Sequence, residues 1–175
     1  MIVEVKGQKS KVKVPIHIRQ AVPIDVHAIE EMLVEAAQWV DALGVVMWSE
    51  GELDSAAIGR DVAAGEFLLA EVDGVPAGAI RFQERDLLFW PDLPQDDSAF
   101  VHRLVVRRAF KGQGISRALL AASADRARRI GKRVLRLDCD ADRTKLRALY
   151  ESCGFRLHSY RQVGPYYVGR YEYPL

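Results

Sequence analysis

Two cysteines in 175 residues cannot build a disulfide framework. Cys139 and Cys153 form no CxxC pair and sit at no metal-ligand spacing, so reduced thiols, a cytoplasmic setting and no metal site are expected. No apolar run reaches the roughly 20 residues of a membrane span, and the first residues lack the apolar core of a secretory signal. Neither membrane insertion nor secretion is therefore expected. Charge of one sign is also lacking: Lys plus Arg number 25 against 24 Asp plus Glu. Nucleic-acid binding needs a concentrated positive field to displace counterions, and this balance offers none. Repeats, low-complexity tracts and linkers are absent. What remains is 49% hydrophobic and 28% charged, the balance of a globular chain with one hydrophobic core.

Residues 1–14 alternate apolar and polar positions and carry Lys6, Lys9, Lys11 and Lys13. They read as an N-terminal extension, either a flexible arm or an added edge strand, with the strand favoured; residues 15–175 form one domain. Residues 16–21 alternate as a strand. Ile29, Met32, Leu33, Ala36, Val40 and Leu43 then recur at helical spacing, with Gly44 just beyond. A second helix fits 53–64. Strands at 67–72 and 75–82 flank Asp73-Gly74, a hairpin signal because glycine tolerates positive φ. Residues 84–97, with Trp90, Pro91 and Pro94, read as a loop. A strand over 100–106 meets a glycine-bearing turn and a helix closed by Gly131. A strand at 134–137, a helix at 142–153 and two strands around Gly164-Pro165 complete the order. The pattern predicts an α/β domain with a mixed sheet, parallel where the later helices cross over.

The run Leu104-Val105-Val106-Arg107-Arg108-Ala109-Phe110-Lys111-Gly112-Gln113-Gly114-Ile115-Ser116 passes directly from buried strand to turn to helix. Main-chain N–H groups converge in such a turn, and the helix start adds partial positive charge, which suits a diphosphate. It is no P-loop, since Gly-x4-Gly-Lys-Ser/Thr is missing. Nor is it a dinucleotide fingerprint, because Arg117 stands where a third glycine is needed. Taken alone, the turn equally fits glycines that serve geometry and bind nothing.

The flanks add to this. His102 to Val106, continued through Gly112-Gln113-Gly114-Ile115-Ser116-Arg117-Ala118-Leu119-Leu120, resembles motif A of the GNAT superfamily of acyl-CoA-dependent N-acetyltransferases. Leu137-Asp138-Cys139, followed by Leu146-Arg147-Ala148-Leu149-Tyr150-Glu151-Ser152-Cys153-Gly154-Phe155, resembles its motif B. The two lie in the family's order and at its spacing, and the element order matches from about residue 16 onward. Three positions depart from the family pattern: Lys111 opens the turn where Gln or Arg is usual, Ser116 closes it where Gly or Ala is usual, and Arg143 replaces an Asn before the last helix. Lysine keeps the charge but loses arginine's planar fork.

The resemblance implies a mostly antiparallel central sheet with a parallel central pair, flanked by about four helices. It implies acetyl-CoA as acyl donor and transfer of the acetyl group directly to an amine. Leu104, Val105 and Val106 are expected along the pantetheine arm and thioester. Lys111, Gly112, Gln113, Gly114, Ile115 and Ser116 are expected at the diphosphate, with Arg143 and Tyr150 also at the donor. The family often forms homodimers, which makes pairing through the C-terminal strands an expectation. A non-catalytic acyl-CoA-binding module, or an enzyme using another acyl-CoA, would keep the same turn.

Direct transfer needs a neutral amine to attack and a protonated thiol to leave. Tyr150 stands at the family's general-acid position, and its unperturbed pKa of about 10 keeps the hydroxyl protonated at neutral pH. Its face also carries Leu146, Leu149 and Cys153, so a core tyrosine fits the same pattern. For the base, Phe100 occupies the position where some members carry Glu. His102, with an ordinary imidazole pKa near 6.5, and Glu84, near the hairpin's end, are the two candidates. Plain strand alternation places His102, Leu104 and Val106 on one face. Trp39, Met47, Trp48, Trp90, Tyr166 and Tyr167 are candidate walls for a small-molecule or protein amine, with Glu50, Glu52, Asp86 or Asp92 drawing in a cation.

Overall fold

A computed structural model describes residues 15–42, 44, 48 and 53–175; the expected strand or arm at 1–14, and Leu43, Met47, Glu50 and Glu52, lie outside them. The elements run as β1 (Ile16–Gln20), α1 (Val26–Asp41), α2 (Ser55–Ala63), β2 (Phe67–Val72), β3 (Val75–Gln83), β4 (Ser98–Val106), α3 (Ile115–Arg129), β5 (Val134–Asp140), α4 (Thr144–Ser152), β6 (Arg156–Val163) and β7 (Tyr166–Pro174). The Asp73-Gly74 turn takes positive φ at both residues, 52° and 75°, the mirror-image turn that matches strand twist.

The strands form one seven-stranded sheet in the order β1-β2-β3-β4-β5-β7-β6. Every neighbouring pair is antiparallel except β4 with β5. The crossover through α4 does not produce a second parallel pair, because β7 inserts between β5 and β6 and runs antiparallel to both.

Each face of the sheet is covered. On one, Ile80, Phe82, Val101, Leu135 and Leu137 pack against Ile115, Leu119 and Leu120 of α3 and Tyr150 of α4. On the other, Phe67, Leu69, Ala79 and Val105 pack against Ile29, Met32 and Leu33 of α1 and Ile58 and Val62 of α2. Helix α3 sits close because Gly78 has no side chain: a Cβ there would come within 2.8 Å of both Ile115 Cγ2 and the Val105 carbonyl oxygen.

Two irregularities interrupt β4. The strand pairs with β5 only at Ser98–Val134, Ala99–Leu135 and Phe100–Arg136, after which the pairing stops. Opposite β3, Ala79 faces Val105 and Arg81 faces His102, so β4 holds one residue more than its partner. Arg103, with φ +53°, lies within this bulge, a conformation that non-glycine residues rarely take. The bulge overturns the expected alternation. Leu104 and Val106 pack on the α3 side, Val105 packs on the α1–α2 side, and His102 shares its side with Val105, not with Leu104.

Candidate active site

Where β4 and β5 part, a cleft of about 460 Å³ opens through the sheet. From the α3–α4 side it is lined by Leu104, Leu120, Cys139, Leu146 and Tyr150; from the other by Asp86, Phe89, His102, Asp138 and Tyr166. Parallel register explains the second group. Phe100 pairs with Arg136, so two residues further along each strand His102 and Asp138 face one another across the opening. Alternation places Leu135 and Leu137 in the core and turns Asp138 the other way.

His102 Nε2 lies 3.0 Å from Asp86 Oδ2, and its Nδ1 lies 3.5 Å from Asp138 Oδ1. The ring bridges the carboxylates by different nitrogens. Asp86 is held firmly. Its Oδ1 accepts the N–H groups of Leu88 and Phe89, and its own N–H donates to Gln95 Oε1 at 2.8 Å. Burial pushes His102 toward neutrality, but the hydrogen bond to Asp86 and the charge of Asp138 outweigh it and hold the imidazole pKa above its ordinary value. Burial pushes the Asp138 carboxyl up to about 6, the nearby His102 only partly offsetting it. Burial also works against charge on Asp86, yet His102 and two backbone donors leave its pKa below the ordinary value. One carboxylate has backbone donors and the other does not, which separates them.

Across the cleft Tyr150 is 6% exposed, packed edge-on to Phe155 and tilted against Tyr171. Burial raises its phenol well above the ordinary value, and nearby Cys139 and Asp138 add to the shift. Burial likewise pushes the Cys139 thiol up to about 12. Tyr150 is thus both core residue and cleft wall, a protonated hydroxyl throughout the neutral range.

The glycine turn lies at the end of β4. Gly112 and Gly114 have φ of +80° and +86°, and a Cβ on either would meet nothing within 4 Å. Glycine is required here by backbone conformation, and the space above the turn stays open. Gly114 caps α3, and the helical ladder begins with Ala118 N–H donating to the Gly114 carbonyl at 3.0 Å. The amides of Ile115, Ser116 and Arg117 precede that first bond and have no intrahelical acceptor. The turn is braced from α1: Arg107 Nη2 donates to Glu31 Oε2 at 2.8 Å, and the Arg108 N–H donates to Glu35 Oε1 at 3.2 Å. A braced, open helix start fits a diphosphate. The Ile115 side chain is buried in the core, which leaves only its main chain for a ligand. Lys111, Gln113 and Ser116 lie at this turn, outside the residues that line the cleft, whereas Arg143 lines it.

Several sequence expectations are corrected. Glu84 is 61% exposed at its side chain and pairs with Lys132 at 3.4 Å; it does not line the cleft, because alternation along the chain turns it away. Trp90 is fully buried against Phe100, with the guanidinium groups of Arg136 and Arg170 over its ring. Asp92 is bound by Arg170 and Arg161, and the Arg170 hydrogen bond holds its carboxyl down at about 2. Trp39 lies under Arg108, and Tyr167 stacks on Tyr160. Of the aromatic candidates among the described residues, Trp48 and Tyr166 line the cleft. Asp138 joins the site although sequence reasoning gives it no role there. Its signal is weak, one of two acids in β5, two residues beyond a strand pairing that sequence does not reveal.

A split parallel pair, an open helix start suited to phosphate, and a histidine and a buried tyrosine on opposite walls make up the arrangement of an acyl-transferring site. Residues 27–155 match the model of the acetyltransferase (GNAT) family. The chain is 30% identical over 142 residues to the uncharacterized N-acetyltransferase YesJ of Bacillus subtilis (strain 168), covering 77% of this chain and 78% of that protein. An acetyltransferase of the GNAT family from Listeria monocytogenes 4b F2365 superposes with a TM-score of 0.76 at 25% identity, covering 91% and 95% of the two chains. The PaiA N-acetyltransferase of Thermoplasma acidophilum, solved with coenzyme A, shares the fold with a TM-score of 0.72 at 17% identity, covering 91% and 99%. The chain belongs to the GNAT family of acetyltransferases, and acetyl-CoA is its acyl donor. Among the described residues no helix is long and apolar enough to cross a membrane.

Proposed function

We propose that this protein acetylates a small primary amine that arrives as a cation from the His102 side of the sheet, by direct transfer from acetyl-CoA held on the α3–α4 side. Acetyl-CoA supplies the thioester whose C–S bond breaks as the amide C–N bond forms. The amides from Gly112 to Ser116 hold the diphosphate. Strand β4, with no β5 partner beyond Phe100, offers main-chain groups around Leu104 and Val106 to the pantetheine arm and the acetyl oxygen. A donor placed at that oxygen stabilises developing negative charge. His102 takes a proton from the ammonium, freeing the lone pair that attacks. Tyr150 Oη–H protonates the departing sulfur, and the surplus proton that the new amide nitrogen sheds as the tetrahedral intermediate collapses restores the phenol.

The observation carrying this reading is that the two groups sit on opposite walls of one cleft, the base among carboxylates and the acid among apolar side chains. Asp86 and Asp138 attract a cation, while Leu87, Leu88 and Phe89 offer apolar contact beside them. Coenzyme A thiol release, measured with acetyl-CoA against a panel of small amines, amino acids and peptide N-termini, tests the assignment. Amine-dependent release that is strongest with small primary alkylamines supports it. Binding of acetyl-CoA with no release on any amine would establish a binding module in its place.

A further inference from the structure

Among the described residues, His102 lies in ion-pair range of the inner oxygen of both flanking carboxylates. Asp86 Oδ2 and Asp138 Oδ1 are buried and complete no hydrogen bond of good geometry among those residues, and both face His102, at 3.0 and 3.5 Å. Their side chains are 6% and 10% exposed. A buried carboxylate oxygen without a donor is costly, so the state of the ring governs both. When the imidazole is protonated, each carboxylate faces one N–H. When it is neutral, one of them loses its donor, and an ammonium N–H is the group that can replace it.

We propose that Asp86, His102 and Asp138 work as one proton-accepting unit in which the two carboxylates are positioning residues. Asp86, locked by Leu88, Phe89 and Gln95, fixes the ring through Nε2; Asp138 faces Nδ1 and receives the acceptor's ammonium. This rests on His102 being the base. In the step, one N–H bond of the ammonium breaks and one ring N–H bond forms, so the positive charge passes from amine to imidazolium between two carboxylates.

Other charges face this unit. Arg81 of β3 opposes protonation of His102, but its guanidinium is engaged by Asp61 of α2 and by Glu66. Arg103 lies 3.5 Å from Asp61, and Arg170 of β7, which lowers the Asp138 pKa, is bound to Asp92. The Phe89 ring lies 6.0 Å from the imidazole and brings no charge. With these cations matched by other acids, the two aspartates set the ring's proton affinity.

The test is the pH dependence of kcat/KM in the wild type and in Asp86→Asn, Asp138→Asn and His102→Gln. Each Asn variant is expected to move the midpoint of the acidic limb down by about one pH unit and to lower kcat about tenfold, with KM for acetyl-CoA little changed. Loss of the limb in His102→Gln with an unmoved midpoint in both Asn variants overturns the unit while leaving His102 as base. A limb that persists in His102→Gln overturns the base itself. If an Asn variant does not fold, NMR titration of the His102 ring in the intact protein decides: a midpoint above the ordinary value of about 6.5 supports the unit, and one at or below it overturns it.

Discussion

Phe100 and Arg136 are the last residues that β4 and β5 pair across their parallel seam. Up to that point the seam is sheet core; beyond it the strands part, and every group assigned to the reaction lies at or past the opening. His102 and Asp138 come two residues later on one side, and Leu104 and Tyr150 line the other. The proposed chemistry falls where regular hydrogen bonding ends and main-chain groups and side chains of a buried sheet open to a ligand.

Tyr150→Phe removes one hydroxyl and keeps the ring that packs on Phe155 and Tyr171. It should lower kcat about 100-fold and leave KM for acetyl-CoA nearly unchanged in steady-state assays. Because burial raises the phenol, the wild type should show no alkaline limb from Tyr150 across the usual assay range. An unchanged kcat removes it as the acid.

Gly114→Ala forces an L side chain into the left-handed region at φ +86°, at a cost of about 1–2 kcal/mol. Gly131, closing α3 at φ +77°, is the matched control. Both alanines should lose comparable stability in urea melts, but only Gly114→Ala should weaken acetyl-CoA binding by calorimetry, by about tenfold. Equal affinities would mean that the turn does not hold the donor.

Asp138→Asn should stabilise the fold at pH 8. The native carboxyl titrates at about 6 against an ordinary 3.8, so the folded state holds its proton more tightly than the unfolded one. That raised value favours folding once the group is protonated, and the advantage is lost as pH rises from about 4 through 6. The charged carboxylate then burdens the native state. Removing it should gain about 1–2 kcal/mol in urea unfolding at pH 8, with the gain fading toward pH 4. A loss of stability at pH 8 would refute the sign.

Gly78→Ala should destabilise by about 1–3 kcal/mol, measured as a lower urea midpoint at unchanged slope. Its Cβ would meet the Val105 carbonyl oxygen at 2.8 Å, and a backbone atom cannot rotate aside as a side chain can.

Local signals in the sequence carry over into the fold. The Asp73-Gly74 hairpin, the strand–glycine turn–helix passage and the apolar face of α1 each depend on neighbouring residues alone, and each appears where those residues place it. Non-local facts are not legible in the same way. The bulge at Arg103 leaves no mark in a run that reads as unbroken alternation, so sequence alone puts His102 on the face of Leu104. Trp90 reads as a cleft wall until the fold places Arg136 and Arg170 over its ring. Asp138 needs the β4–β5 register, which no local pattern encodes.

The extra residue in β4 is absorbed sideways, with the pairs on either side of it still held by β3. Without Arg103 the ladder would be regular, and His102 and Leu104 would keep their present walls. Because Val105 lies opposite Ala79 and His102 opposite Arg81, the imidazole and the glycine turn would stay about as far apart, and only the local kink and added twist would go. What the bulge sets is therefore direction: with Arg103 in the strand, it turns the imidazole to one wall and the next main-chain groups to the other without changing the length of the strand.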